Sequence, residues 1–227
     1  MMGIPLIIFF PILFILCLKE KWHPIFFKIA KYWAGFVMYS SGFIPKRVDG
    51  VFYEENKSFM FIANHTSMLD IMMMFYTIKN PFVFVGKKEL TKIPVFGYFY
   101  KSVSILVDRK SPKSRAEVFK QAQHKIDLGF SICIFPEGGV PEDESIILDN
   151  FKDGAFRLAI DHKLPIVPFV FPDNKKRFSY TFFSGSLGKT RAYILSKQNT
   201  EHLTLEDKNT LKKNLYKQIF DKLMELH

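Results

Sequence analysis

The feature that most constrains the fold is a polar segment set between two apolar runs. The run Ser58–Ala63 has the length and composition of a buried strand, and the run Ile71–Phe75 is predicted to form part of a helix. Between them lies Asn64–Asp70, sequence NHTSMLD, whose asparagine, threonine and serine are residues that commonly cap helices. A strand that ends at His65 places an imidazole at the mouth of the sheet, where open α/β proteins bind their ligands.

The spacing of His65 and Asp70 is compatible with a general base and a carboxylate that orients it. In a continuous helix, side chains five positions apart point about 140° away from each other. The two side chains can meet if His65 precedes the first helical turn and Asp70 lies on it. The carboxylate would then fix the imidazole tautomer and stabilise the imidazolium. The alternative for a bare pair is a structural histidine bonded to a nearby carbonyl.

From about Val48 onward, short apolar runs alternate with helical stretches, which predicts an α/β fold with a mixed, mostly parallel sheet flanked by helices. The predicted strands are Val51–Tyr53, Phe59–Ala63, Phe82–Val85, Val103–Val107, Ser131–Phe135, Ile166–Phe171, Phe178–Phe183 and Arg191–Leu195. The predicted helices are Met68–Ile78, Pro112–Leu128, Gly154–His162 and Leu205–Leu226. The predicted helix Pro112–Leu128 is preceded by Ser111, a suitable N-cap residue, and followed by Gly129.

Charge and composition indicate an anionic partner. The chain has a formal net charge of +10 and is 48% hydrophobic with 26 phenylalanines. Nucleic acid, a phosphorylated ligand and an anionic membrane surface all fit such a chain. Nucleic acid is disfavoured because the charge is spread along the chain and matches no nucleic-acid-binding motif. Cys17 and Cys133 are too few for a disulfide framework and lack metal-ligand spacing, which favours a reducing compartment.

The N-terminal sequence predicts a segment that anchors the protein to a membrane. Met2–Leu18 contains no charged residue and ends at Lys19–Lys21, sequence KEK. A helix of that length rises about 25 Å, which is less than the roughly 30 Å thickness of the hydrocarbon core. The segment therefore either spans the bilayer or enters only one leaflet. A signal peptide is disfavoured because basic residues before the apolar run and a small-residue cleavage site after it are both missing.

The next stretch, Pro24–Met38, is apolar apart from Lys28 and Lys31, which share a helix face. This pattern predicts a helix in the membrane interface, with an amphipathic helix packed on the domain as the alternative. We therefore predict a membrane-anchoring segment at residues 1–45 and a catalytic domain at residues 46–227. The basic residues after the first apolar segment favour the cytoplasmic face of the membrane, which is the inner membrane in a bacterium.

Further sequence blocks follow His65 in an order that resembles a known enzyme family. The blocks are NHTSMLD at 64–70, GKKEL at 86–90, IPVFG at 93–97, VSILVDR at 103–109, FPEGG at 135–139 and LPIVP at 164–168. In this order and spacing they resemble the 1-acyl-sn-glycerol-3-phosphate acyltransferases, also called lysophosphatidic acid acyltransferases. The resemblance covers about Val48–Phe171.

The resemblance implies an O-acyltransferase of phospholipid biosynthesis that makes phosphatidate. It implies that His65 is the general base and that Asp70 orients it. The acyl chain would pass from an acyl thioester, carried by acyl carrier protein or coenzyme A, directly to the glycerol hydroxyl, with no metal or other cofactor. A one-step transfer agrees with a sequence that has no Gly-x-Ser-x-Gly nucleophile motif.

By the same resemblance, the substrate-binding residues are Lys87, Lys88, Arg109, Glu137 and Gly138. Arginine suits the acceptor phosphate because its planar fork donates two parallel hydrogen bonds. Glu137 is the expected polar group at the end of the third block, and Gly138 allows a close approach of the backbone.

The third block departs from the family pattern. In the family this block commonly reads Glu-Gly-Thr-Arg-Ser, whereas this chain reads EGGVPEDE at 137–144, so a basic residue is missing and an acidic run follows. Lys152 or Arg157 then substitutes for the missing arginine, or the acceptor is another lysolipid, such as one with an amino-acid headgroup. A non-catalytic membrane module that binds anionic lipid is the alternative from a different class.

Overall fold

The computed structural model describes residues 11–48, 53–55, 57–143, 145–179 and 185–226. These residues contain a seven-stranded sheet with the order β1-β7-β6-β2-β5-β3-β4. Its strands are β1 (Phe43–Val48), β2 (Met60–Ala63), β3 (Phe82–Lys87), β4 (Ile105–Val107), β5 (Ser131–Ile134), β6 (Ile166–Val170) and β7 (Gly188–Ile194). Neighbouring strands are parallel except β6 and β7. The predicted mixed, mostly parallel α/β fold is confirmed.

Helices cover both faces of the sheet. They are α1 (His23–Ser40), α2 (Leu69–Thr77), α3 (Phe96–Val103), α4 (Pro112–Asp127), α5 (Gly154–Asp161), α6 (Asn174–Arg177) and α7 (Lys208–Leu226). Short 3-10 turns lie at Glu20–Trp22, Lys88–Lys92 and Leu205–Asp207, and residues 11–17 are also helical. Helix α4 begins as the sequence predicts, because the Ser111 side chain accepts a hydrogen bond from the backbone of Ser114.

Strand β2 shows how the chain divides its apolar residues between two cores. Met60 and Ile62 pack with residues of α4, α5 and α7, whereas Phe61 and Ala63 pack with residues of α1 and α2. Successive side chains of a strand point to opposite faces, so a continuous apolar run is what a doubly covered strand requires. The sheet is therefore buried on both sides where β2 lies, and its polar residues are confined to its ends.

Strand β1 and helices α3 and α6 were not predicted from the sequence. Strand β1 begins at Phe43, inside the segment predicted as an anchor, and pairs in parallel with β7 at the edge of the sheet. Helix α3 occupies Phe96–Val103, so β4 begins only at Ile105 and not at Val103. The predicted strands Val51–Tyr53 and Phe178–Phe183 lie largely outside the described residues.

Helix α1 has one packed face and one exposed apolar face. Phe27, Ala34 and Met38 pack in the core beside α2. On its other side Ile25 is 50% exposed, Tyr32 79% and Phe36 58%. In the portion of the chain that the structure describes, no helix has both the length and the apolarity to cross a membrane. Anchoring by residues 1–45 stays a prediction.

Candidate active site

The predicted base lies where three neighbouring strands end. His65 follows β2, Glu137 follows β5, and the segment Phe171–Asn174 follows β6. Strands β6, β2 and β5 are adjacent and parallel, so their carboxyl ends meet at one edge of the sheet. This edge is the position at which open parallel sheets bind ligands.

His65 and Asp70 are in direct contact. His65 Nδ1 lies 3.0 Å from Asp70 Oδ2, and the same oxygen accepts backbone hydrogen bonds from Thr66 at 2.6 Å and Ser67 at 2.8 Å. His65 precedes the first turn of α2, and Asp70, which is fully buried, lies on that turn. An ionised Asp70 accepts the Nδ1 proton, which assigns the free lone pair to Nε2. The predicted geometry of the pair is therefore present.

Asn174 completes the surroundings of Asp70 and was missed by the sequence analysis. Its Nδ2 donates to Asp70 Oδ1 at 2.7 Å, and the residue is fully buried. Its Oδ1 has no hydrogen-bond partner among the residues described. Asn174 is separated from Asp70 by 104 positions, so no local pattern links them. The only signal in the sequence was an asparagine shortly after the predicted strand Ile166–Phe171.

Two more hydrogen-bonded links tie the segment after β6 to the segment after β2. The Asn64 side chain accepts from the Phe171 backbone at 2.8 Å and donates to the Phe171 carbonyl at 3.1 Å. Ser67 Oγ donates to the Phe178 carbonyl at 2.6 Å. These bonds span more than 100 residues of sequence. They hold the loop that carries His65 against its neighbour.

The exposed part of the site is defined by aromatic rings. The Phe135 ring stacks on the His65 imidazole at a centroid distance of 4.1 Å and an angle of 15°. Phe84 in turn stacks on Phe135 at 6.0 Å. Only 14% of the His65 side chain is exposed. The stack fixes the plane of the imidazole, and a small part of the side chain stays accessible to solvent.

Glu137 supports the backbone beside the base. It is 1% exposed, and its Oε1 accepts from the His65 backbone at 2.6 Å while its Oε2 accepts from the Asp149 backbone at 2.8 Å. Burial raises the pKa of Glu137 to about 8, although the two N–H donors favour the ionised form. Both oxygens thus accept hydrogen bonds from the protein, and the substrate contact that the sequence predicted for Glu137 stays a prediction.

Three cations converge on the turn after β5. Gly138 adopts φ +83°, and a Cβ at this position would lie 2.9 Å from Lys152 Nζ and 3.0 Å from Arg109 Nη1. Arg109 also donates to the Gly138 carbonyl. At Gly139 a Cβ would lie 3.6 Å from Lys87 Nζ. We call Lys87, Arg109 and Lys152 the cation cluster.

The other predicted cations are placed differently. Lys88 begins the exposed 3-10 turn Lys88–Lys92. Arg157 lies on α5, where its guanidinium sits 5.1 Å from the centre of the Phe119 ring. Of the two residues predicted to replace the missing arginine of the third block, Lys152 is therefore the one beside Gly138.

Neither cysteine is placed as a nucleophile. Cys133 lies within β5, fully buried, and this burial raises the pKa of its thiol. Burial also raises the pKa of Cys17 to about 11. Thiols in such surroundings stay protonated and unreactive at neutral pH. The chemistry that this edge of the sheet offers is a histidine base beside a group of cations.

Comparison with known proteins agrees with this chemistry. The acyltransferase family model matches residues 44–172. The 1-acyl-sn-glycerol-3-phosphate acyltransferase of Saccharomyces cerevisiae is 29% identical over 178 residues, which cover 76% of this chain and 59% of that protein. The protein of the same name from Escherichia coli is 34% identical over 111 residues, covering 48% of this chain and 44% of its own.

A crystal structure shares the fold. The 1-acyl-sn-glycerophosphate (LPA) acyltransferase PlsC from Thermotoga maritima superposes with a TM-score of 0.75 at 19% identity, covering 91% of this chain and 82% of that one. The alignments to the curated relatives span only about half of their length, for example 41% of the Cocos nucifera protein. The family match extends over residues 44–172 of the 227, and this chain belongs to the acyltransferase family.

Proposed function

We propose that this protein transfers an acyl chain from an acyl thioester to the free hydroxyl of 1-acyl-sn-glycerol-3-phosphate, giving phosphatidate. The observation that carries the proposal is the contact of His65 with Asp70 at 3.0 Å, at the same edge of the sheet as the turn on which the cation cluster converges. Family membership and the names of the relatives support the same reaction. A thioester is already activated, so one base and a site for developing negative charge are sufficient.

In the proposed mechanism, Nε2 of His65 accepts the proton of the acceptor hydroxyl as its oxygen attacks the thioester carbonyl carbon. A carbon–oxygen bond forms and the carbon–sulfur bond breaks. The departing thiolate then takes the proton from the imidazolium, which restores the neutral base. Asp70 stabilises the imidazolium because its buried carboxylate lies 3.0 Å from Nδ1.

The cation cluster is the proposed site for the acceptor phosphate. A phosphomonoester carries up to two negative charges, and three cations that converge on one turn are suited to it. Arg109 offers a planar fork, whereas Lys87 and Lys152 offer point charges. Gly138 lets these side chains approach the turn, because a Cβ there would contact two of them at about 3 Å.

An apolar cavity of about 130 Å³ is the proposed site for the acyl chain of the donor. It lies between α1 and the sheet, and its lining includes Phe75, Phe82 and Phe84. Phe84 stacks on Phe135, which stacks on His65, so a row of aromatic rings leads from the base to this cavity. An acyl chain buried there would leave its thioester carbonyl near the imidazole.

A small cavity beside Thr66, the residue after the proposed base, favours a second candidate acceptor. This space of about 90 Å³ is lined by Thr66, Glu142, Asp143 and Lys175 among others. The Thr66 hydroxyl is buried and has no hydrogen-bond partner in the described part of the chain. Carboxylates and a hydroxyl acceptor suit an ammonium group. A lysolipid with an amine-bearing headgroup is therefore the alternative acceptor.

We further propose that residues 1–45 anchor the protein to a membrane, with the catalytic domain on the cytoplasmic face. Support comes from apolar side chains that stay exposed near the N-terminus, namely Ile12, Ile15, Leu18, Ile25, Tyr32, Phe36 and Tyr39. Contiguous exposed apolar surface commonly marks a membrane or protein contact. A lipid acceptor would then reach the site from the side of α1.

An acyl-transfer assay with purified protein in detergent or bilayers tests the function. Wild type and His65→Ala are offered lysophosphatidate, an amine-bearing lysolipid and a lysolipid without a phosphomonoester. His202→Ala is the matched control, since that histidine is exposed and precedes the 3-10 turn before α7. We expect turnover of lysophosphatidate that is lost only in His65→Ala. Equal turnover in wild type and His65→Ala would refute the mechanism, and turnover of the amine-bearing acceptor alone would replace the acceptor.

A further inference from the structure

We propose that Tyr216 on α7 is a positioning residue for Lys152, a member of the cation cluster. Tyr216 acts on the chain that leads to this lysine, Leu148–Lys152, which we call the 148–152 segment. The inference rests on the proposed function, in which the cation cluster binds the acceptor phosphate. Helix α7 lies outside residues 44–172, the range that the family model matches, so the family match assigns no role to Tyr216.

The 148–152 segment has no regular structure of its own. It forms neither helix nor strand between the turn after β5 and the start of α5. The Lys152 backbone donates to the Pro136 carbonyl at 2.9 Å, which ties the end of the segment to that turn. Since the repeated hydrogen bonds of a helix or a sheet are missing here, the place of the segment depends on individual contacts.

Helix α7 supplies contacts to the start of the segment. Leu148 and Phe151 are buried in the core that also contains the inner face of α7. The Tyr216 ring meets the Phe151 ring edge-on at a centroid distance of 5.1 Å, and the Tyr216 hydroxyl donates to the Leu148 carbonyl at 3.1 Å. Apolar contacts tolerate small shifts, whereas a hydrogen bond is directional, so the hydroxyl fixes where the segment lies along α7.

The segment reaches the site at two points. The Asp149 backbone donates to Glu137 Oε2 at 2.8 Å, and Lys152 Nζ lies 2.9 Å from the place of a Cβ on Gly138. Glu137 has a second bond, to the His65 backbone, which does not involve the segment. The Lys152 side chain is exposed and follows its own backbone. A shift of the segment should therefore affect the cation cluster more than the base.

Ion pairs tie the chain after the segment to the same helix. Asp153 follows Lys152 directly, and its carboxylate lies 2.6 Å from Lys208 Nζ and 2.5 Å from Lys212 Nζ. The Asp153 side chain is 48% exposed, and surface pairs of this kind contribute little. The partly buried hydrogen bond from Tyr216 is therefore the contact whose removal should be measurable at Lys152.

A double-mutant cycle between Tyr216 and Lys152 tests the inference. Wild type, Tyr216→Phe, Lys152→Gln and the double variant are assayed with lysophosphatidate. Tyr193→Phe is the matched control, because Tyr193 packs against the same core and its hydroxyl lies 3.3 Å from Arg191 Nη1. We expect Tyr216→Phe to raise the acceptor KM by up to about tenfold, the effect of one hydrogen bond, with kcat within about twofold. In the Lys152→Gln background the same substitution should leave the acceptor KM unchanged, as should Tyr193→Phe in wild type.

Several results would overturn the assignment. Additive effects of the two substitutions on the acceptor KM would mean that Tyr216 does not act through Lys152. A lower kcat with an unchanged acceptor KM would make Tyr216 a support of Glu137 instead. Calorimetry with glycerol 3-phosphate repeats the cycle without turnover, and equal affinity in wild type and Tyr216→Phe would refute the positioning role. Binding that follows the expected cycle while wild type shows no acyl transfer would count against the proposed function alone.

Discussion

Replacing Asp70 with asparagine isolates the electrostatic part of the proposed mechanism. The substitution preserves the shape of the side chain and removes its charge. The carboxylate accepts four hydrogen bonds, from His65 Nδ1, the Thr66 and Ser67 backbones and Asn174 Nδ2. The introduced amide can keep its oxygen toward the first three donors. Its nitrogen then faces Asn174, whose Oδ1 has no partner among the residues that the structure describes and can rotate to accept from it.

The geometry sets the size of the effect on turnover. Two unit charges 3.0 Å apart attract by about 5.5 kcal/mol at an effective dielectric constant of about 20. This attraction is present only when the imidazolium forms, so its loss falls on the transition state. At about 1.4 kcal/mol for each factor of ten, the upper limit is a 10⁴-fold fall in kcat. The free energy of unfolding should change by only about 1–3 kcal/mol, as expected for altered hydrogen bonds to a charged group.

The assay measures kcat and the acceptor KM of Asp70→Asn, with thermal unfolding as the check on folding. Asp221→Asn on α7 is the control for removal of an exposed aspartate charge. We expect kcat to fall by about 10³–10⁴-fold while the acceptor KM stays within about twofold, because Asp70 is fully buried and does not reach the substrate. A folded variant that keeps more than a tenth of wild-type kcat would refute the role given to this carboxylate.

Substitutions at three further positions test the residues around the pair. The pKa of Glu137 is raised from 4.5 to about 8, so between these pH values the folded state retains a proton that the unfolded state loses. The contribution of Glu137 to stability is therefore complete below pH 4.5 and is lost as the pH rises through 8. Denaturant unfolding of wild type and Glu137→Gln should show a stability difference that falls over this window by at most about 5 kcal/mol, and parallel pH profiles would contradict the raised pKa. Asn174→Leu leaves Asp70 Oδ1 without its donor, so we expect kcat to fall about tenfold or more and the acidic limb of the kcat/KM pH profile to move. Asn174→Gln should restore part of the activity. An unmoved pH profile in Asn174→Leu would mean that Asn174 only packs against the site. Gly138→Ala adds a Cβ at φ +83° and within 3 Å of Lys152 Nζ, so we expect the acceptor KM to rise more than kcat falls. An unchanged acceptor KM would argue against phosphate binding at this turn.

The parts of the fold that the sequence predicted are those with a local period. The apolar runs of β2, β5 and β6 are continuous because the sheet is covered on both faces, and such runs are recognisable from composition. Helix α7 has buried leucines at helical spacing, among them Leu211 and Leu215. Strand β1, sequence FIPKRV, was missed because an edge strand with a proline and two cations lacks the composition of a buried strand.

The site was predicted as far as its local spacing reached. His65 and Asp70 are five positions apart across a strand-to-helix junction, so their contact follows from secondary structure. Asn174 and Asp149 are separated from their partners by 104 and 12 positions, and only the order of the strands brings them to the same edge. The location of Lys152 beside Gly138 likewise depends on the path of the chain after β5.

The position of the base is therefore set by polar groups that replace sheet hydrogen bonds beyond the strand ends. Where β2 stops, Asn64 bonds the backbone of Phe171 after β6, and the backbone of His65 bonds Glu137 after β5. Each of these groups is almost fully buried, so its bonds are made without competition from water. A loop held this way on both sides keeps the imidazole at its distance from the carboxylate before any substrate binds. Because Asn64 and Glu137 act on this geometry through hydrogen bonds to the backbone, we expect their substitution to lower kcat more than it changes either KM.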